Sequence, residues 1–517
     1  MRIKIFIILI SSIIYQSSVY SKTTDTINFN PKYLSNYFSA LISYDNQNND
    51  DALKFFNSSK FLIKKHDNFL KEYVFSLVLD GQVKRAIDQI KISKNKNNSN
   101  FFEADLLLTL DSINRRNYNQ ASERLKKLEI FKDDGTYQYI IYRILEDYNK
   151  LFLSKKIQKT DKNFGRLSLI TDAFQNCYLN SKNTNSNFLN LINSEESDYS
   201  RYLFFYLGNI IANEEYNIAN EISSTIEPIT SSLLISQSKK WIDEKRFEKF
   251  KNHFSCENEN DILGEFFFLI SNLFSSQENF ELSNFYINLS NYLNPKFYFN
   301  RSLLAENYYL NNNFNLAKKI LTKLDDKDEI YYWYKIKKLS QIIYKQKNQE
   351  ESLKFIEKKI KNIKNPSTKI IYDFANINKK FKNFEKAIEL YSLVLSKVKK
   401  NSSTYADVLY RRGGSYERIG QHENSDADLL LSLEISPGDP YIMNYLAYSW
   451  LERNYKIDEA IEMLHRAFDQ KKDDPYITDS VGWGYYLIGD YENAEKYIFY
   501  PCSCARDHKR FIFFCYV

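Results

Sequence analysis

Small residues recur along the C-terminal half of the chain at intervals close to 34 residues. Each repeat also carries an apolar or aromatic residue followed three positions later by a small one, as in Phe314 with Ala317 and Phe384 with Ala387. Small side chains let two helices approach closely, and larger ones fill the gaps. A fixed period of this length predicts an array of helical hairpins. The recurring small residues are Ser271, Ala305, Ser340, Ala375, Gly413, Ala447 and Gly482.

The copy nearest the C-terminus is the most complete. It consists of Val481-Gly482, Tyr485, Gly489, Tyr491, Ala494 and Ile498. These spacings match positions 7, 8, 11, 15, 17, 20 and 24 of a tetratricopeptide repeat (TPR), which the segment resembles closely. The resemblance implies an all-α fold, a right-handed superhelical solenoid of antiparallel helix hairpins. A single hairpin cannot bury its own apolar face, so we expect roughly 12 to 14 of them in one continuous superhelix.

The repeat signal weakens toward the N-terminus, but the small residues recur there at the same interval of 34 to 35 residues. We therefore assign degenerate TPR-like helical repeats to residues 22–200 and a TPR solenoid to residues 201–500, clearest at 264–500. The N-terminal pairs that face each other within a hairpin are Ala40 with Ala52, Val74 with Ala86, Thr109 with Ala121 and Leu207 with Ala219.

The first 21 residues have the pattern of a secretory signal peptide. Arg2 and Lys4 precede an apolar run from Ile5 to Ile14, and Val19-Tyr20-Ser21 approximates a small-x-small cleavage site. The run is well short of the ~20 residues that span a bilayer. We expect an exported protein of the periplasm or cell envelope, without an integral membrane span and associated with a membrane only peripherally, through a partner.

The repeat pattern breaks at residue 501. A small residue of the second helix is expected there, but the chain has Pro501, and a proline inside a helix costs ~3 kcal/mol. The sequence predicts that the helix ends at this point. Residues 501–517 also hold three of the five cysteines and close on an apolar run. A frameshift or premature truncation explains this aberrant Cys-rich tail better than a zinc site or a hydrophobic docking strand.

Composition and charge exclude several classes of protein. Hydrophobic residues make up 43% of the chain and aromatic residues 16%, which is too many for a disordered chain, and 12 Gly with 8 Pro are few for an all-β fold. The formal net charge is +6 and the pI is near 8.6, below the pI above ~9 that is typical of nucleic-acid-binding domains. The charge therefore gives no indication of a nucleic-acid-binding face.

Catalytic and metal-binding signatures are missing from the sequence. The five histidines are scattered, and the chain has no phosphate-binding glycine loop and no Gly-x-Ser-x-Gly elbow. We therefore predict no enzyme activity, no cofactor and no metal site. Cys177 and Cys256 lie about two repeats apart, roughly 20 Å in a straight stack, so they are predicted to be free and buried.

In TPR proteins a concave groove is lined by the first helix of each hairpin, and the same positions can be read from the last three copies. Some TPR proteins bind a peptide carboxylate with a Lys at position 5 of helix A and an Asn at position 9. In this sequence Lys337 is followed four residues later by Gln341, and Asn376 is preceded four residues earlier by Tyr372, so this clamp is disfavoured. Several groove residues alternatively pack between adjacent helices. The candidate groove residues are Tyr410, Arg411, Glu417, Arg418, Asn444, Tyr445, Tyr448, Asp479, Trp483 and Tyr486.

The sequence therefore predicts a non-enzymatic TPR scaffold that binds a protein or an extended peptide segment, with a role in envelope assembly as the leading hypothesis. The alternatives are an accessory or regulatory subunit of an envelope enzyme, or a glycan-binding protein that uses the groove aromatics.

Overall fold

The computed structural model describes residues 30–504, apart from 67, 94–99, 132–135, 159–161, 194–199, 228 and 325. The predicted signal peptide at 1–21 and the tail beyond 504 lie outside these residues. Within them the chain forms 27 α-helices and no strand, which confirms the all-α prediction. None of the helices among the described residues is both long and apolar enough to cross a membrane.

The chain divides into two compact units, residues 1–142 and residues 143–517. The first unit consists of three helical hairpins, two short 3-10 turns and the beginning of a seventh helix. Its helices are α1 (Pro31–Asp45), α2 (Asn49–Ser58), α3 (Phe69–Leu79), α4 (Val83–Ser93), α5 (Phe102–Asn114), α6 (Tyr118–Leu128) and the start of α7 (Tyr137–Ser154).

The second unit contains seven regular hairpins, preceded by an irregular group of helices. The irregular group comprises the rest of α7, α8 (Arg166–Tyr178), α9 (Thr184–Ile192), α10 (Ser200–Ala212), α11 (Tyr216–Thr225), α12 (Leu233–Asp243) and α13 (Glu248–His253). The hairpins are α14 (Glu259–Ser276) with α15 (Phe280–Leu293), α16 (Asn300–Leu310) with α17 (Phe314–Leu321), α18 (Glu329–Gln346) with α19 (Gln349–Ile360), α20 (Thr368–Lys380) with α21 (Phe384–Leu395), α22 (Ser403–Arg418) with α23 (His422–Ile435), α24 (Pro440–Glu452) with α25 (Ile457–Gln470), and α26 (Pro475–Leu487) with α27 (Tyr491–Cys504).

The predicted repeat register is confirmed in all seven hairpins. Each recurring small residue lies on the first helix, called helix A, and is buried against the second, helix B. A Cβ at Gly413 would lie 2.9 Å from Leu429 Cγ and 3.2 Å from the Ser425 carbonyl oxygen, so the helices approach too closely there for any side chain. At the equivalent place in the first hairpin the hydroxyls of Ser271 and Ser283 lie 3.0 Å apart and hydrogen-bond.

Several hairpin turns combine a left-handed residue with a side-chain cap. Arg116 has φ 57° and Glu278 has φ 58°, and in each case the next residue is an asparagine. Asn117 and Asn279 accept the backbone N–H three residues into helix B, which satisfies one of its unpaired donors. The many asparagines of the chain therefore have a structural use as helix caps.

The helices α10 to α13 do not continue the array as two further stacked hairpins. Arg201 on α10 forms a bidentate ion pair with Glu265 on α14, with N–O distances of 2.8 and 2.6 Å. The loop between α11 and α12 is also held, because Lys369 on α20 donates to the carbonyl oxygens of Ile229 and Ser231 at 2.6 and 2.9 Å. This segment therefore lies along the beginnings of α14 to α20.

The prediction that Cys177 and Cys256 are free is wrong. They form a disulfide with a Cα–Cα distance of 5.6 Å. The estimate of their separation assumed a straight stack, whereas the chain between them leaves the array through α9 to α13 and returns beside α8. Tyr178 also donates to Glu259 Oε1 across the same junction, at 2.8 Å.

The prediction that the last helix ends at Pro501 is also wrong, because α27 continues to Cys504. A proline removes one backbone donor and crowds the carbonyl four residues earlier. This cost applies only to the last turn of α27, and the helix continues through Pro501. The proposed frameshift or truncation, which concerns residues 501–517, stays a prediction.

Candidate protein-binding groove

The ten predicted groove residues lie on α22, α24 and α26, the helix A segments of the last three hairpins. None of them is fully buried, and Arg418, Tyr448 and Tyr486 are exposed. The last three helices A thus present these side chains as one series. Their role in binding stays a prediction.

Several of the predicted aromatic residues bridge neighbouring helices A. The Tyr445 hydroxyl donates to Glu417 Oε2 at 3.1 Å, and its ring packs edge-on against Tyr410 with centroids 5.7 Å apart. The Trp483 indole N–H donates to Glu452 Oε1 at 2.7 Å. Tyr410 and Tyr445 therefore pack between adjacent helices, as the alternative interpretation predicts. The hydrogen bond to Glu452 fixes the orientation of the Trp483 ring.

A second set of aromatic side chains remains open to solvent. Trp483 and Tyr486 stack with centroids 5.3 Å apart and an interplanar angle of 14°. Tyr448, on the preceding helix A, is 38% exposed, and Tyr486 is 48% exposed. We call Tyr448, Trp483 and Tyr486 the aromatic row. Tyrosine and tryptophan supply large contact area with few rotatable bonds, which favours binding at low entropic cost.

A buried polar atom without a partner accompanies the aromatic row. The side-chain carbonyl oxygen of Asn444 is buried and accepts no hydrogen bond from the part of the chain that the structure describes. Burial raises the pKa of Asp479. A buried acceptor without a donor is costly, so the Asn444 oxygen favours a ligand that supplies an N–H donor, such as a peptide backbone.

A cationic cluster borders the row on the side of α20 and α22. Arg411 donates to both carboxylate oxygens of Asp407, at 3.1 and 2.9 Å. The Lys379 ammonium donates to the Arg411 carbonyl oxygen at 3.1 Å, and burial, reinforced by the Arg411 charge, lowers its pKa to about 8. Lys379 was missed in the sequence because only the last three copies were searched. It occupies the same helix A position as Glu417 and Tyr486, one repeat earlier.

The first hairpins of the array offer less free groove than the last ones. The Arg201 guanidinium lies 3.6 Å from the ring centroid of Phe268 and 4.7 Å from that of Phe299, both at groove positions of helix A. Lys369, at another groove position, is held by the loop before α12. Part of the chain itself therefore covers the groove side of α14, α16 and α20, whereas the aromatic row lies beyond that cover.

The side chains of the candidate groove are of the kinds that bind other molecules through contact and hydrogen bonds. Among residues 30–504, with the gaps given above, no three His, Cys, Asp or Glu side chains are grouped to hold a metal ion. The groove offers aromatic faces, the unpaired amide oxygen of Asn444, and cations that are already oriented by hydrogen bonds.

Comparison with known proteins gives one match in sequence. No protein-family model matches the chain. A TPR repeat-containing protein of Pseudomonas aeruginosa is 29% identical over 103 residues, and the match spans 20% of this chain and 18% of that protein. Together with the confirmed repeat register, this match makes the chain similar to TPR proteins, which favours a role in protein–protein interaction.

Solved structures with related folds are also helical-repeat proteins. The TPR domain of P58(IPK) has a TM-score of 0.30 at 12% identity, covering 88% of this chain and 98% of that domain. MamA from Desulfovibrio magneticus RS-1 has a TM-score of 0.28 at 16% identity, covering 34% of this chain and 97% of its own. The superpositions are too distant for any argument about ligands.

Proposed function

We propose that this chain is a non-enzymatic scaffold that holds an extended segment of another protein along α22, α24 and α26. The observation that carries the proposal is the aromatic row: Tyr448 and Tyr486 stay exposed, and the partly exposed Trp483 ring is held in place by its hydrogen bond to Glu452 and by stacking on Tyr486. A binding surface built in this way loses little side-chain freedom on binding. The unpaired side-chain oxygen of Asn444 lies on the same face of α24 as Tyr448 and supplies an acceptor for a peptide backbone.

We further propose that the protein acts in the periplasm or cell envelope. The signal-like first 21 residues motivate this location, and the Cys177–Cys256 disulfide supports it, because disulfides persist in oxidising compartments and are rare in the cytosol. Mass spectrometry of the mature N-terminus tests the proposal. Residues 1–21 found intact on the mature chain would contradict it.

Affinity capture from an envelope fraction tests the scaffold proposal. The full chain is compared with a Tyr448→Ala/Trp483→Ala variant and with a Tyr455→Ala control, since Tyr455 is 46% exposed but lies in the turn between α24 and α25. Aromatic anchors often contribute ~2 kcal/mol or more, so partner affinity should fall about 30-fold or more in the double variant. The control should retain binding.

The identity of the captured proteins separates the alternatives. Several assembly factors would support an envelope-assembly scaffold, whereas one enzyme recovered in a fixed ratio would support an accessory or regulatory subunit. Unchanged capture by a folded double variant would place the binding site elsewhere. Capture that is competed by a soluble glycan would instead favour glycan binding to the stacked rings of Trp483 and Tyr486.

A further inference from the structure

A cavity of about 400 Å³ lies between α10, α13 and the Cys177–Cys256 disulfide, away from the groove described above. Its volume is within the range of small-molecule pockets, near the lower end. Six aromatic rings contribute to its lining: Phe204, Phe205, Tyr216, Phe247, Phe250 and Phe254.

The walls of the cavity are held in place from several sides. Phe204 and Phe250 stack with centroids 5.3 Å apart, and Phe205 and Phe254 pack edge-on at 4.6 Å. The disulfide joins α8 to the segment that follows α13. The cavity is therefore formed before any ligand arrives, so binding does not have to order its walls.

A glycine in the middle of α10 keeps the cavity open. Gly208 lines the cavity and has an ordinary helical backbone. A Cβ at this position would meet only Phe250 Cδ1, at 3.8 Å, which is a normal contact. Glycine is the least favourable residue after proline inside a helix, so packing does not explain its presence here. A larger side chain at residue 208 would project into the cavity.

The rim of the cavity is negatively charged. Glu214, Glu248 and Glu257 stand against a single cation, Lys251, and all four are exposed. No ion pair involves any of them within the described ranges of the chain. Three carboxylates against one ammonium leave a rim that attracts cations. Tyr216, which is 40% exposed, and the partly exposed Phe247 offer ring faces at this rim that stabilise a cation, whereas the other four rings are buried and form the wall behind them.

We propose that this cavity binds a small organic cation that carries an apolar ring or chain. The apolar part fills the space beside Gly208, and the cationic group remains between the aromatic rings and the carboxylates of Glu248 and Glu257. This site is independent of the proposed scaffold function, and neither depends on the other.

A set of three probes of similar shape and different charge tests the proposal. The 2-phenylethylammonium ion, 2-phenylethanol and phenylacetate are titrated against the full oxidised chain, and binding is followed by saturation-transfer NMR. We expect the cation to bind at least about fivefold more tightly than the alcohol, and phenylacetate to bind most weakly. No binding of the cation, or equal binding of cation and alcohol, would overturn the proposal.

Two kinds of variant localise the binding. Gly208→Leu should fill the cavity and weaken binding of 2-phenylethylammonium by more than about tenfold, whereas Gly208→Ala adds one methyl group and should retain most of it. The Glu248→Gln/Glu257→Gln variant should weaken it by about two- to fivefold for each carboxylate removed. Glu221→Gln, on the exposed surface of α11, is the matched control.

Because Glu248 and Glu257 are exposed, their replacement by glutamine keeps the fold intact and the charge test remains decisive. Undiminished binding of the cation by the Gly208→Leu variant, or by the double glutamine variant, would refute the site.

Discussion

Breaking the ion pair between Arg201 and Glu265 should detach α10 from the hairpin array. The Glu265 side chain is 1% exposed and that of Arg201 is 14% exposed. The guanidinium also donates to Asn300 at 3.1 Å, so it links α10 to both α14 and α16. An Arg201→Met variant removes this charge and keeps a side chain of comparable length among the surrounding rings.

The expected loss of stability follows from the burial of the carboxylate. Removal of one partner from a buried pair costs about 3–5 kcal/mol, because the remaining charge stays buried without compensation. The second change, Glu265→Met, removes that remaining charge, and Phe268 already provides an apolar neighbour on the same helix. We therefore expect the Arg201→Met/Glu265→Met variant to recover most of the loss, to within about 1–2 kcal/mol of the natural protein.

Urea denaturation followed by far-UV circular dichroism measures these differences, with hydrogen exchange of α10 as the local readout. Lys386→Met is the control, since Lys386 pairs with Glu389 on the exposed surface of α21. It should leave the unfolding midpoint nearly unchanged. A cost below about 1 kcal/mol for Arg201→Met would refute the reasoning, because it would mean that water reaches Glu265 freely.

Three further changes test other parts of the fold. Burial raises the pKa of Asp261 to about 6, above the ~3.9 of an exposed aspartate, so its contribution to stability is complete below pH ~4 and is lost as the pH rises through 6. Asp261→Asn should flatten this dependence and raise the free energy of unfolding at pH 7 by about 2–3 kcal/mol, as measured by urea denaturation at each pH. Lys382 has φ 61° in the turn between α20 and α21, and Lys382→Gly should stabilise the chain by about 0.5–1 kcal/mol, whereas an unchanged midpoint would show that the turn is not strained. The Cys177→Ser/Cys256→Ser variant opens a loop closed over 79 residues and should lower the free energy of unfolding by about 4 kcal/mol, an expectation that equal midpoints for the two proteins would contradict.

The hairpin array could be predicted from the sequence because its packing constraint is local and periodic. Helix A meets helix B twelve residues later in six of the seven hairpins, and thirteen residues later between Ala447 and Ala460. Residues such as Gly413 and Ser425 must therefore both stay small, and this requirement recurs at a nearly constant spacing. The docking of α10 to α13 depends on contacts over 64 residues, as for Arg201 with Glu265, and over 140 residues, as for Lys369 with Ile229. Such contacts leave no periodic trace in the sequence.

The sequence could assign the candidate groove residues to positions on the helices, but it could not tell which of their side chains pack and which stay exposed. The repeat register assigns Tyr445 and Tyr448 to the same helix face, and the sequence treats them alike. The structure separates them, because the Tyr445 hydroxyl reaches Glu417 on the preceding helix A, while the Tyr448 ring stays 38% exposed. Whether a groove aromatic packs or projects depends on the length and charge of the residue opposite, which the register alone does not determine.

The hydrogen bond of Trp483 limits how a partner can use the aromatic row. Its indole N–H is already donated to Glu452 at 2.7 Å, and one ring face is stacked on Tyr486. A partner therefore gains contact with the remaining face and edge of the ring and not with its only donor. In the proposed binding mode, specificity then comes from the unpaired side-chain carbonyl oxygen of Asn444, which requires a donor from the partner. A segment with an apolar side chain flanked by free backbone N–H groups satisfies both conditions, whereas a helical segment, whose N–H groups are internally bonded, satisfies only the first.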